Sequence, residues 1–149
     1  MIIIGIDPGK SGGIAWCNDG KFTVEKMPET ALDLWELICN IADRVASSTR
    51  HLDCVAYLEQ VHSSPQMGVT SAFTFGHGFG QIEMALTAAG IPFERLRPQA
   101  WQKAMGCMTK GDKNVSKRRA QELFPQIKVT HANADALLIC EYGRRMKSL

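Results

Sequence analysis

Apolar residues recur along this chain with two different periods. Dense short runs come first: Ile2-Ile3-Ile4-Gly5-Ile6 and Ile14-Ala15-Trp16-Cys17 predict strands over 2–7 and 12–17, and a third strand is predicted over 21–27. The turn Pro8-Gly9-Lys10-Ser11-Gly12-Gly13 joins the first two and Asn18-Asp19-Gly20 the last two, so the opening reads as an antiparallel meander. From Ala31 to Val45 the period changes. Leu32, Leu34, Trp35, Leu37, Ile38, Ile41, Ala42 and Val45 fall at helical spacing behind Thr30, a residue suited to an N-cap, and predict a crossover helix.

The run Cys54-Val55-Ala56-Tyr57-Leu58, ending in Glu59, is too short for an ordinary helix and reads as a buried strand parallel to the first. After the polar stretch from Gln60 to Val69, a helix is predicted from Thr70 to Ala89, ended by Gly90. Residues 91–96 read as a short strand, and Pro98 opens a helical turn through Trp101 and Ala104. Residues 106–114 lack periodicity and are expected to form a mobile loop. Ser116 to Phe124 is a basic helix stopped by Pro125, and a last helix is expected from His131 to about Lys147. This order predicts an α/β domain with a mixed five-stranded sheet, an antiparallel three-stranded meander continued by parallel strands, and helices on both faces.

Composition narrows the setting. With 149 residues and 45% hydrophobic content, the chain is expected to form a single domain over 1–149 around one core. No stretch approaches the roughly 18 apolar residues of a membrane span, and a strand starts at once, leaving no room for a signal or transit peptide. A cytoplasmic protein of a bacterial cell or phage-infected host is the expectation, with no membrane partner. The five cysteines, Cys17, Cys39, Cys54, Cys107 and Cys140, lack C-x-x-C spacing and read as buried free thiols.

Net charge is only +2, but the basic residues are clustered. Arg95, Arg97, Lys103, Lys110, Lys113, Lys117, Arg118 and Arg119 lie in one stretch opposed only by Asp112, and Arg144, Arg145 and Lys147 close the chain. Such a distribution suits either a solvated helix face or a polyanionic partner.

Asp7 and Glu59 each follow an apolar strand. If those strands are parallel neighbours, the two carboxylates stand side by side at the C-terminal edge of the sheet, an arrangement that is costly unless a cation joins them. Asp135 lies near the start of the last helix, with His131 one turn earlier on the same face. Taken singly, each has a plain structural role: Asp7 sets a turn, Glu59 is a surface acid, Asp135 complements the helix dipole, and His131 is a cap or core residue. Taken together, they form an oxygen-rich set with one imidazole, suited to Mg²⁺ or Mn²⁺. Two such ions about 4 Å apart can activate water and stabilise the leaving oxygen of a phosphodiester.

The segments IIIGIDPGKSGGIAW, VAYLEQV, the F-x-F-G-x-G-x-G pattern within Phe73–Gly80, RPQAW, KNVSKRR and HANADALLICEYG occur in this order. Taken so, they resemble the RuvC-type Holliday-junction resolvases, above all the phage and plant-organellar branch, over essentially the whole chain. The resemblance implies an RNase H-like fold, a homodimer, and paired metal-dependent nicking of four-way DNA by a crossover junction endodeoxyribonuclease. Asp7, Glu59 and Asp135 match the family's metal-binding acids. Where many bacterial members carry an aspartate three residues before the last acid, this chain has Ala132; His131 matches the histidine of the organellar branch. Lys113 matches the family's active-site lysine, and Gln102 stands at another basic position, with Lys103 beside it.

The loop after Glu59 carries His62, Gln66 and Met67, candidates to meet bases at the junction centre. Lys103, Lys110, Lys113, Lys117 and Arg118 are candidates to hold phosphates. Gly76, Gly78 and Gly80 among Phe73, Phe75 and Phe79 weaken a helix by roughly 1 kcal/mol each, so close approach of a second helix or of DNA is expected there, with an aromatic core stripe as the alternative. Three other functions stay open. They are an RNase H-like nuclease of forks, flaps or structured RNA, a catalytically silent junction binder, and an actin-like phosphotransferase, for whose second domain and phosphate loop this chain has no room; no nucleotide cofactor is expected.

Overall fold

The computed structural model describes residues 1–43 and 53–148. Its elements run β1 (Ile2–Asp7), β2 (Gly13–Asn18), β3 (Lys21–Lys26), α1 (Ala31–Asp43), β4 (Cys54–Glu59), α2 (Val69–Ala88), β5 (Phe93–Leu96), α3 (Pro98–Met105), α4 (Lys113–Leu123) and α5 (Ala134–Lys147). The strands form one sheet in the order β3-β2-β1-β4-β5. The β1/β2 and β2/β3 pairs are antiparallel, and β1/β4 and β4/β5 parallel. The expected mixed sheet is thus the observed one. Arg44 and Val45, the expected end of the crossover helix, lie outside the described residues.

Strand alternation divides the core. Ile2, Ile4 and Ile6 of β1 face one way with Ala56 and Leu58 of β4, packing against Leu34, Ile38 and Ile41 of α1 and Ile82 and Leu86 of α2. Ile3, Val55 and Tyr57 face the other way, under Trp101 and Met105 of α3, Ala120 of α4, and the run Ala136 to Cys140 of α5. Because both faces of β1 are covered, its sequence is apolar without a break.

Helix α5 can lie so close to the sheet because β1 has a glycine beneath it. A Cβ on Gly5 would collide with the backbone of Ala136 and Cys140, and one on Gly143 with the ring of Tyr57. Residues Ala136 to Cys140 are all buried; each of the larger side chains among them stabilises by about 1.5–3 kcal/mol relative to exposure.

Several boundaries depart from the sequence pattern. The expected turn at Pro98 is a helix of 8 residues, with Pro98 in its first turn, Trp101 and Met105 buried one turn apart, and Gly106 closing it at φ 68. Helix α4 starts at Lys113, not Ser116, because the Asp112 side chain accepts from the Asn114 backbone N–H at 2.9 Å and caps it. Only residues 106–112 of the expected mobile loop are therefore non-helical, and Cys107 within them is buried. Helix α5 begins at Ala134 rather than His131, which lies in the preceding turn; there Asn133 Oδ1 accepts from Thr130 N–H at 2.7 Å.

Candidate active site

In the β1/β4 register Ile6 stands opposite Leu58, so Asp7 and Glu59, the next residues, are level at the ends of adjacent parallel strands. By alternation both share the face of Ile3, Gly5, Val55 and Tyr57, the face covered by α5. Asp135, in the first turn of α5, arrives over the same edge. The turn after Asp7 is tight: Gly12 N–H donates to Gly9 C=O at 3.1 Å, and Gly9 holds φ 107, which a side chain would oppose.

The three acids burden one another. Burial, then the Glu59 and Asp135 charges, push the Asp7 carboxyl up to about 8, against a smaller opposing effect of Lys113. Burial also raises Glu59, offset by a hydrogen bond from Trp101. Asp135 is raised by burial and eased by Ser116, Lys113 and His131. Lys113, the first residue of α4, is the cation that acts on all three.

One neutral donor binds an acid directly, and one hydroxyl lies close to another. The buried Trp101 indole donates from Nε1 to Glu59 Oε1 at 2.9 Å. The Ser116 hydroxyl, also buried, lies beside Asp135 and donates to the Lys113 carbonyl at 3.3 Å. Neither contact can be read from the sequence, where Trp101 stands only in a helical turn and in the RPQAW segment. The available signal was an aromatic side chain with a polar tip on the short helix that follows the strand beside β4. His131 is exposed in its turn, and its charge reaches Asp135 from the rim.

The donor set fits a divalent cation. Three carboxylates face one nearby lysine, and Asp135 Oδ1 is buried with no hydrogen-bond partner among the described residues, the state expected of an oxygen that a hard cation would satisfy. Among the described residues no group of three or more His, Cys, Asp or Glu side chains is placed so that it could hold a metal ion as it stands.

The other predicted residues lie in the loop after β4, on α3, and before and on α4. His62 and Gln66 are exposed in the loop after β4, and Met67 is half-buried. His62 and Met67 line a cleft of about 370 Å³ with Gln60, Phe75, Arg97 and Gln99, directly beyond Glu59. A larger groove of about 930 Å³, between the Gly9–Lys10 turn, the start of α1 and α2, contains none of the acids. Lys103 is exposed on α3 beside half-buried Gln102, Lys110 is exposed before α4, and Lys117 and Arg118 lie on α4, half-buried and exposed respectively.

The basic run is less free than its sequence implied. Arg95 pairs with Glu83 at 2.6 Å and Arg119 with Glu122 at 3.0 Å, so Asp112 is not the only opposing acid. Arg144 and Arg145 both bind buried Glu141, at 2.7 and 2.8 Å. Burial raises the Glu141 carboxyl, but the two guanidiniums outweigh this and hold it below the usual range. Most of the terminal basic cluster thus serves the fold.

The sheet order and the helices on its two faces define an RNase H-like α/β fold of the RuvC type. The solved structures that carry it include Thermus thermophilus RuvC, with TM-score 0.64 and 20% identity over 99% of this chain and 97% of that one, and T. thermophilus RuvC in complex with Holliday junction substrate, with TM-score 0.60 and 21% identity over 98% and 96%. No family model and no curated protein matches the chain. No helix among the described residues is long and apolar enough to cross a membrane.

Proposed function

We propose that this chain is a Holliday junction resolvase, a divalent-metal-dependent endonuclease that makes paired symmetric nicks in four-way DNA by phosphodiester hydrolysis. The observation that carries this reading is the β1/β4 register, which levels Asp7 with Glu59 on the face where α5 delivers Asp135. The full-length likeness to T. thermophilus RuvC, one structure of which holds a Holliday junction substrate, supports four-way DNA as the substrate.

Asp7, Glu59 and Asp135 would hold the cation, Mg²⁺ or Mn²⁺ and two ions when fully loaded, with His131 at the rim. Bound there, a divalent metal supplies charge stabilisation at the phosphate and a more acidic water. The chain's own groups do the rest. The Gly9 turn fixes Asp7, Trp101 orients Glu59, and Lys113 offsets the excess negative charge at the point where a phosphate backbone approaches. Lys103, Lys110, Lys117 and Arg118 hold neighbouring phosphates without reading bases, and His62, Gln66 and Met67 border the bases nearest Glu59.

A four-way junction presents two symmetry-related strands, so paired nicking calls for two sites related by a two-fold axis. The surface suited to that homodimer is the α2 face on which Val69 and Phe73 are exposed and Gly76 and Gly80 meet open space among the described residues.

The deciding experiment is cleavage of a mobile four-way junction with Mg²⁺, mapping both nicks and comparing forks, flaps and structured RNA. Symmetric nicks are expected on the junction. Asp7→Asn should retain junction binding and lose cleavage by a factor of at least about 10³, in line with loss of a group that stabilises the transition state; undiminished cleavage would overturn the assignment.

A further inference from the structure

Trp101 has a single polar atom, and the structure aims it at the metal site. The indole is wholly buried, at 0% exposure, and Nε1–H donates to Glu59 Oε1 at 2.9 Å across a sequence separation of 42 residues. Sheet order brings these two together. Strand β5 pairs in parallel with β4, with Glu59 opposite Leu96, and Gln60 N–H donates to Leu96 C=O at 2.8 Å. Helix α3 opens at Pro98, just past that pairing, and so places its buried side beside the Glu59 carboxylate.

An indole N–H can only donate, and it keeps its proton at every pH at which the protein is folded. Its partner must therefore be an acceptor, and a carboxylate oxygen is the one it has. A buried ring whose neighbours Met105 and Leu96 are themselves buried has little freedom to let go.

We propose that Trp101 is a positioning residue of the metal site: by anchoring Oε1 of Glu59 it fixes the carboxylate plane and leaves Oε2 as the oxygen available to the cation. The proposal rests on the metal-site reading above and specifies how the site is set before metal arrives. Neutral partners that orient metal-binding side chains commonly change metal affinity by about 10- to 100-fold when removed, without themselves touching substrate.

Trp101→Phe removes the N–H and keeps most of the aromatic volume. The variant is expected to bind Mg²⁺ or Mn²⁺ about tenfold more weakly by calorimetric titration. Junction cleavage should need correspondingly more Mg²⁺ and recover most of its rate at saturation. In the wild-type protein, the ¹⁵N-labelled Trp101 indole cross-peak should shift on Mg²⁺ addition, and should shift in the metal-free Glu59→Gln variant, whereas the Trp16 and Trp35 cross-peaks should hardly move. An unchanged metal titration in a folded Trp101→Phe protein would overturn the proposal. An indole resonance blind to both Mg²⁺ and Glu59→Gln would do so even if that variant failed to fold. Wild-type protein that neither binds metal nor cleaves would instead remove the metal-site reading itself, and the proposal with it.

Discussion

Helices α5 and α2 both involve glycine at a helix surface, with opposite consequences. At α5 the glycines are filled space: Gly5 lies under the backbone of Ala136 and Cys140, and Gly143 lies against Tyr57. At α2, a Cβ on Gly76, Gly78 or Gly80 would meet nothing within 4 Å. Helix α5 buries its side chains from Ala136 to Cys140, whereas the buried residues of α2, Ile82, Ala85 and Leu86, all lie in its second half. The first arrangement positions an acid over the strand ends. The second leaves a face that the described residues do not cover, at a cost in helix propensity of roughly 1 kcal/mol per glycine. The same residue thus marks an internal contact in one helix and an outward-facing surface in the other.

This contrast can be broken at its strongest point first. Gly5→Ala should destabilise by on the order of 3 kcal/mol, because the new methyl meets backbone that cannot move independently of the helix. Urea denaturation would measure it, and a loss below about 1 kcal/mol would mean that α5 can lift away from β1 at little expense.

The acids that α5 completes give the next effect. With Asp7 pushed up to about 8 from an ordinary value of 3.8, the metal-free folded protein retains a proton that the unfolded chain releases. The folded state then binds more protons between those values, so stability is fully present below about pH 4 as far as this group is concerned and is lost as pH rises through about 8. Thermal denaturation should show metal-free protein losing stability across that window. Asp7→Asn should flatten the loss, and Mg²⁺ should reverse it in the wild type with an affinity that grows as pH rises.

At α2, Phe73→Glu should weaken self-association by at least about tenfold, since it sets a charge on an exposed apolar side chain central to the proposed dimer face. Sedimentation at several concentrations would show it, with the monomer fold unchanged. The smallest change is Gly76→Ala. In a monomeric background such as Phe73→Glu it should stabilise by about 0.5–1 kcal/mol, through helix propensity alone. A destabilisation there would show that Gly76 is packed within the chain and erase the difference from Gly5.

Much of this architecture was legible in one dimension. Runs such as Ile2 to Ile6 and Cys54 to Leu58 announce strands buried on both faces, and Asp7 and Glu59 stand out as acids terminating them. The order of elements was enough to predict a mixed sheet with β1 and β4 as parallel neighbours. Local pattern failed where caps and long-range contacts govern. Lys113 reads as loop by pattern, yet one side-chain hydrogen bond to Asp112 starts α4 there; His131 has helical spacing to Asp135, yet the helix starts at Ala134. Arg144 and Arg145 looked available to a polyanion because the sequence does not reveal that Glu141, one turn away, is buried and must be neutralised.

Hydrophobic period and turn chemistry act over a few residues, and they were sufficient for the strands, their hairpins and the two strand-end acids. Register, helix depth and the pairing of distant polar groups depend on how those pieces pack. Only the folded chain could therefore level Asp7 with Glu59, sink α5 onto Gly5 until Asp135 reached them, and set the Trp101 indole against a carboxylate that lies 42 residues away.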